Sequence, residues 1–439
     1  MQKLFNYIKS NVLIKVAHLN TAAIITKIVA GILTSKAIAV FIGVEGMALI
    51  GNLRNFLSAF QSVAILGFYN GLVKYISEFK NQAVKLSKTL STAYYLGFVS
   101  TILLSFISYY NAEGINNFLF SSNFNYSYII KILAFALPFY ALNMFCFAII
   151  NGFKKYKILY IINIIGQILG LLITLLLIYQ GKINGALIAV IIAPSLIFLI
   201  TLVGIINRRG LVSSVKISNI DSNILKKLAP FTLMALVTTV GLPLIYIMVR
   251  NYIIDTVGIK EAGYWESMNR ISDYYLMFVS SLITLYVLPR FSEINNKNEF
   301  KSEMISLYKS LVPIFALGLF LIYLFRPFII KVVFTEEFLP VENLFGWQLL
   351  GDFVKILSIV IAYQFIAKKM FMHFIIIELF LVVIIYFSSV YLVDFFGVQG
   401  AVLAHFISYL MYFGMVLLMF NSSIFGVISE KNENDSDIT

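Results

Sequence analysis

"INGALIAVIIAPSLIFLITLVGII" (183–206) contains no charged residue. As a helix rising 1.5 Å per residue it is long enough to cross a hydrocarbon core of about 30 Å. Its opening, "INGALIA" (183–189), returns as "VQGAVLA" (398–404), with Gly185 on Gly400, Ala186 on Ala401 and Ala189 on Ala404. A membrane span and an internal repeat meet in one segment, and together they predict the fold.

The rest of the chain agrees with that reading. It has 439 residues, 60% hydrophobic and 12% charged, with a mean hydropathy of +0.90. Apolar runs of spanning length recur along it, about twelve in all: 20–42, 47–77, 89–110, 127–150, 158–179, 183–206, 231–254, 264–290, 308–330, 341–367, 370–393 and 398–421. They are too long and too uniformly apolar for the alternating strands of an outer-membrane barrel. Lys3, Lys9 and Lys15 lead into the first run without a small-residue cleavage site, so no cleavable signal peptide is expected. The single cysteine, Cys146, excludes an intrachain disulfide or a cysteine-based metal site.

The net charge of +12 would suggest nucleic acid in a soluble protein. In a multi-pass membrane protein it is first a matter of topology. With the N-terminus inside, the inner segments hold Lys80, Lys85 and Lys88, then Lys154, Lys155 and Lys157, then Arg208, Arg209, Lys216, Lys226 and Lys227. Arg290, Lys297, Lys301 and Lys309 follow, then Lys368 and Lys369, then Lys431. The outer segments hold only Lys182, Lys260, Arg326 and Lys331. This asymmetry supports a twelve-span topology with both termini inside, and no nucleic-acid partner.

Further matches share the spacing of the repeat. At a shift of 215, "YISEF" (75–79) falls on "RFSEI" (290–294) and Gly43 on Gly258. At a shift of 214, Lys154–Lys155 falls on Lys368–Lys369. The expected architecture is all-α, with two six-helix lobes, 1–215 and 216–429, and a disordered polar tail, 430–439. An even number of spans keeps both lobes in one orientation, related by a pseudo-two-fold along the membrane normal, with a central cleft between them.

Charged residues inside such spans mark function, because each costs at least about 2.5–3.5 kcal/mol at the bilayer centre on insertion scales. In "YWESMNRISDYYLMF" (264–278), Glu266, Asn269, Arg270 and Asp273 fall on one helix face. Arg270 can pair with Glu266 and Asp273 at helical spacing. The second span carries Arg54, Ser58, Gln61 and Ser62 on one face, and Arg54 maps onto position 269 under the shift. Lys36, Arg54, Arg250 and Arg270 lie in the outer halves of their spans. A basic, water-filled cleft suits an anionic substrate, because guanidinium grips phosphate oxygens bidentately.

Several of these residues also have structural readings. Arg250 either lines the cleft or snorkels to the outer interface. Asp352 and Lys355 either line it or neutralise one another. His18, His373 and His405 show no metal-ligand spacing and read as packing or interfacial residues. The candidate substrate-binding set is Lys36, Arg54, Gln61, Arg250, Asn269, Arg270 and Lys355. The candidate ion-coupling residues are Asp273 and Asp352. Pro243 interrupts the seventh span and Gly31 sits at the comparable place in the first, which makes them candidate hinges. No catalytic residue, cofactor or metal site is expected.

The segments "FTLMALVTTVGLPLIYIMVRN" (231–251), "WESMNRISDYYLMF" (265–278) and "LFGWQLLGDFVKILS" (344–358) resemble the Wzx-type O-antigen translocases, above all the branch that flips lipid III of enterobacterial common antigen. "KIVAGILTSKAIAVFIGVEGMALIGNLRNF" (27–56) and "GFYNGLVKYISEF" (67–79) fit as well. The resemblance covers nearly the whole chain. It implies the fold of the multidrug/oligosaccharidyl-lipid/polysaccharide exporters and alternating access. It also implies transport of an undecaprenyl-pyrophosphate-linked oligosaccharide from the cytoplasmic to the periplasmic leaflet. The implied partners are membrane lipid, a proton or sodium ion, and a glycan polymerase with its chain-length partner. The family motifs cover Arg250, Asp273, Trp347, Asp352 and Lys355; the role of Arg270 rests on the polar stripe alone. A multidrug antiporter of the same fold is the first alternative, disfavoured by the excess of cations. A polytopic membrane enzyme of glycan assembly is the second, disfavoured because no nucleotide-binding loop of the G-x-x-x-x-G-K-[ST] kind is present.

Overall fold

The structure, a computed structural model, describes residues 12–120, 124–205, 215–294, 297–368 and 370–425. Among them every regular element is helical and none is a strand, as the uniformly apolar runs predict. The helices are α1 (Val12–Phe41), α2 (Val44–Ala64), α3 (Tyr69–Phe79), α4 (Ala83–Tyr110), α5 (Ala112–Phe120), α6 (Ser127–Gly152) and α7 (Tyr156–Ile205). They are followed by α8 (Ser222–Ala235), α9 (Leu242–Thr256), α10 (Ile259–Leu282), α11 (Leu288–Glu293) and α12 (Lys297–Leu324). The last four are α13 (Arg326–Val333), α14 (Phe345–Ala367), α15 (Phe371–Phe396) and α16 (Val398–Phe425).

Among the described residues, nine helical stretches are long and apolar enough to cross a membrane, or ten if α2 and α3, bent by 41°, form one span. Two features hold the number below the expected twelve. The run α7 is 50 residues long and contains a non-helical residue, Lys182 (φ 45°, ψ −122°), between the expected spans 158–179 and 183–206. The helix α10 is continuous but carries Glu261, Glu266, Arg270 and Asp273, too many charges for a uniformly apolar span.

Two prolines remodel the helices that precede them. A π-helical turn, Leu236–Gly241, comes just before Pro243, and a second, Ile283–Val287, just before Pro289. At Pro243 the missing N–H and the crowding of the carbonyl four residues back are relieved by widening the ladder by one residue. The expected break at Pro243 is therefore a π-turn leading into α9. Gly31, its counterpart in the first span, lies within the uninterrupted helix α1.

Packing divides the chain into two compact units. One holds the chain up to Ser267 together with Ile330–Pro340; the other holds Met268–Ile329 and the chain from Val341 onward. This division falls inside α10, whereas the repeat divides the sequence at 215/216. Residues 206–214 of that joint, and the tail 430–439, lie outside the described residues.

In the first unit, the break between α2 and α3 is made by Leu66 and Gly67, both at positive φ. Beyond it α3 buries Leu72, Tyr75, Ile76 and Phe79, a spacing of three and four that gives one apolar stripe. That stripe packs with Leu86, Leu90 and Ala93 of α4, with Phe145 and Ala148 of α6, and with Ile224 and Leu228 of α8. The chain entering α8 is fastened to α4 by side chains. Ser91 accepts from the Lys216 amide (3.0 Å), Thr92 from the Asp221 amide (2.9 Å), and Ser87 from the Asn219 side chain (2.7 Å). Asp221 caps α8 by accepting from the Asn223 amide at 2.8 Å and pairs with Lys88 at 2.8 Å. The hydrogen bond from Lys88 holds its carboxyl below the usual carboxylate range.

Candidate functional site

Each unit encloses a buried polar cluster. In the first unit it is built from α2, α9 and α10. The Arg250 guanidinium, 1% exposed, donates to Asn52 Oδ1 at 2.7 Å and forms an ion pair with Glu266. Asn52, itself fully buried, donates to Asn251 Oδ1 and to the Leu119 carbonyl, both at 2.7 Å. Asn251 donates to the Phe118 carbonyl at 2.7 Å. The cluster thus ties the end of α5 to α2 and α9. Arg250 also lies 5.3 Å from the centre of the Trp265 ring, a cation–π contact. Gly51 makes room for it: a Cβ there would sit 2.5 Å from the Glu266 carboxyl carbon and 3.0 Å from the Arg250 guanidinium carbon.

The second unit holds a network around Asp352, which is fully buried on α14. One carboxylate oxygen accepts from Ser272 (2.6 Å), from Tyr275 and more distantly from Gln348 (3.4 Å). The other is 2.9 Å from His405 Nε2. Ser272 and Tyr275 come from α10, one helical turn apart, and His405 from α16. The approach of α16 depends on Gly351, where a Cβ would lie 2.3 Å from the His405 ring and 3.1 Å from the Phe406 backbone. Lys355, one turn along α14, places its ammonium 5.1 Å from the centre of the Tyr409 ring. Glu378 of α15 accepts from Tyr412 at 2.9 Å. A carboxylate, an imidazole, an ammonium and a second carboxylate are therefore gathered within a bundle otherwise built from apolar helices, where unpaired charge is costly.

The other sequence-derived candidates are dispersed. Lys36 donates to the carbonyls of Lys331 (2.8 Å) and Phe334, and so holds the C-terminal end of α13. Arg54 and Gln61 are half-buried on α2. Arg270 is 3% exposed, Asn269 is half-buried and Asp273 is exposed. The polar stripe of α10 thus runs from buried Glu266 to exposed Asp273. Arg250 does not snorkel, since burial removes its guanidinium from the interface. Glu266 holds a partner 16 residues back on the preceding helix, which spacing within its own helix could not indicate. Asp352 has partners besides the nearby Lys355, being bonded to four other side chains, Ser272, Tyr275, Gln348 and His405. His405 is corrected from a packing residue to a direct partner of Asp352. Asn52, Asn251, Ser272, Tyr275 and Gln348 lie within the segments that carry the family resemblance, but being uncharged they were not singled out there as site residues. Among the described residues no group of three or more His, Cys, Asp or Glu is disposed to hold a metal ion.

A chain of long apolar helices enclosing such clusters is a multi-pass membrane protein of transporter architecture. Its fold is similar to that of a multidrug resistance MATE family transporter of the MOP superfamily in its inward-facing conformation: TM-score 0.72, 12% identity, 90% of this chain and 95% of that one. It is equally similar to lipid II flippase MurJ in an inward closed conformation: TM-score 0.72, 16% identity, 93% of this chain and 88% of that one. At such identities the likeness is one of fold. The chain belongs to the family described as "Polysaccharide biosynthesis protein", which it matches over residues 38–343. It is 29% identical to the lipid III flippase of Escherichia coli (strain K12) over 405 residues, 92% of this chain and 97% of that protein. The resemblance read from the sequence motifs is borne out by these matches.

Proposed function

We propose that the protein is a flippase for an undecaprenyl-pyrophosphate-linked oligosaccharide, moving it from the cytoplasmic to the periplasmic leaflet of the inner membrane by alternating access. The observation that carries this reading is the match to a lipid III flippase along almost the whole of both chains. Counting α7 as two spans at Lys182, and adding α10, brings the ten spans to twelve, with two six-helix lobes and both termini cytoplasmic. The MATE likeness keeps a multidrug antiporter as the alternative; the excess of cations over acids within the spans favours an anionic substrate.

In this reading Arg54 and Arg270 are the cations that meet the pyrophosphate, and Gln61, Asn269 and Lys355 are further candidate substrate contacts. Lys36 and Arg250 act as braces. Asp352 with His405 is the ion-coupling pair, because a fully buried carboxylate bonded directly to an imidazole is an exchangeable charge inside an apolar bundle. The charged and titratable groups around the pair include Lys355, Asp273, Glu378, Tyr275, Tyr409 and Tyr412. Asp273 is a second acid that protonates, or binds sodium, when substrate engages Arg270. The π-turn before Pro243, with Gly31, gives the hinges, and a glycan polymerase with its chain-length partner receives the product.

The test is complementation of an Escherichia coli strain whose lipid III flippase has been deleted. Restored surface glycan with the wild-type chain, and loss of it with Arg54→Ala or Arg270→Ala at unchanged membrane levels, is the expected result. Removing one charged hydrogen-bond partner of the substrate is worth about 1.5–3 kcal/mol, or roughly ten- to a hundredfold. Full restoration by both variants would remove the arginines from the substrate path.

A further inference from the structure

At one end of the second unit, where α12 finishes and α14 begins, two cavities adjoin. The first, about 380 Å³, is lined by Tyr323, Arg326, Glu342, Asn343 and Trp347. The second, about 490 Å³, is lined by apolar side chains of α12 and α14, among them Leu319, Phe320, Leu349 and Phe353. They share Tyr323, Gly346 and Leu350, so a polar, aromatic pocket opens onto an apolar groove.

The polar pocket is held in shape. Arg326 pairs with Glu342 at 2.9 Å, donates to the Tyr323 carbonyl at 2.9 Å, and lies 4.3 Å from the centre of the Tyr323 ring. The Trp347 indole is tilted against Phe406 at 5.6 Å and remains 41% exposed. Residues suited to an aromatic belt would account for an exposed tryptophan at a span end. They would not account for a fixed Arg–Glu pair and an asparagine lining a cavity beside it. Planar donors and acceptors around an exposed indole match a sugar ring, whose hydroxyls lie at its edge and whose C–H bonds lie on its face. Gly346 stands where the two cavities meet, and a Cβ added there would meet nothing within 4 Å. The pocket is therefore open at the residue that joins it to the groove.

We infer that this pair of cavities is a docking site for a lipid-linked saccharide, with a sugar on Trp347 between Arg326, Glu342 and Asn343, and the start of the lipid tail in the groove between α12 and α14. The inference rests on the proposed function and adds a site to it. By the charge asymmetry this end of the unit is periplasmic, which makes it a site for the translocated product before release.

The experiment measures binding to the purified full-length protein by native mass spectrometry. The probe is polyprenyl pyrophosphate carrying one N-acetylglucosamine, compared with the same lipid without the sugar and with phosphatidylglycerol. Gly346→Leu fills the junction from a helix position that favours a side chain over glycine, and Trp347→Ala removes the platform. Gly414→Leu is the control, because it too lies in a helix with nothing within 4 Å of the added Cβ. The expected result is preferential binding of the sugar-bearing probe, weakened at least about tenfold by Gly346→Leu and Trp347→Ala, as for an interface anchor, and unchanged by Gly414→Leu. Equal binding with and without the sugar, or equal binding by wild type and Gly346→Leu, overturns the site. Binding sensitive to Gly346→Leu in a protein that moves no lipid across a bilayer would uphold the site and sink the flippase reading.

Discussion

Glu266→Ala is expected to be among the most destabilising single substitutions in this chain. It takes away the carboxylate facing a guanidinium that is 1% exposed. Removing one partner of a buried ion pair costs about 3–5 kcal/mol, because the remaining charge stays desolvated. Glu266→Gln keeps the shape and a hydrogen-bond acceptor, and should lose less. Glu336→Ala supplies the comparison: its pair with Lys331 joins side chains 79% and 50% exposed, where an ion pair is worth about 1 kcal/mol or less. Thermal unfolding of the detergent-solubilised protein, followed by monodispersity, reads all three. Equal midpoints for Glu266→Ala and Glu336→Ala would mean that the Arg250 cluster does not brace the first unit. Gly51→Ala approaches the same cluster from α2 and should lower the midpoint as well, since its Cβ would enter the ion pair.

The second large effect is expected at Asp352. Asp352→Asn retains an oxygen to accept from Ser272 and Tyr275, but removes the charge beside His405. If the pair carries the coupling proton, the variant should fold, bind substrate and translocate at least about tenfold more slowly, the scale on which positioned proton-transfer groups act being about a hundredfold or more. Its rate should also lose its dependence on an imposed proton gradient. His405→Gln should flatten the same dependence while leaving Asp352 bonded to Ser272 and Tyr275. Rates measured in vesicles with and without the gradient separate coupling from simple destabilisation, which would slow transport without altering its gradient dependence. Wild-type gradient dependence in Asp352→Asn would exclude the residue from coupling.

The helical membrane fold was legible because span length and apolar uniformity are local properties of the sequence. Pro243 was legible as a break, but its form as a π-turn was not, because the ring clash can be relieved by a kink, a helix end or a widened turn and does not select among them. The candidate site was legible only in part. Composition marks a charge inside a span as significant, and Glu266, Arg270 and Asp352 all proved buried. It does not give the partner. Arg250 is 16 residues from Glu266, and His405 is 53 from Asp352; both contacts arise from helix packing, with no periodicity linking the two residues. Gly51 and Gly351 are similar cases: each permits a close approach that becomes meaningful only once the opposing side chain is known.

As proposed above, the protein moves a polyprenyl-pyrophosphate-linked saccharide across a bilayer. The most direct measurement reconstitutes it into liposomes holding such a lipid with a fluorophore on its sugar, and adds a membrane-impermeant quencher. Symmetric, protein-free liposomes lose only the fluorescence of the outer leaflet. Liposomes containing the wild-type protein are expected to lose nearly all of it, at a rate set by the proton gradient and lowered by Asp352→Asn. Quenching confined to the outer-leaflet share, with protein shown to be folded and inserted, would contradict the proposal.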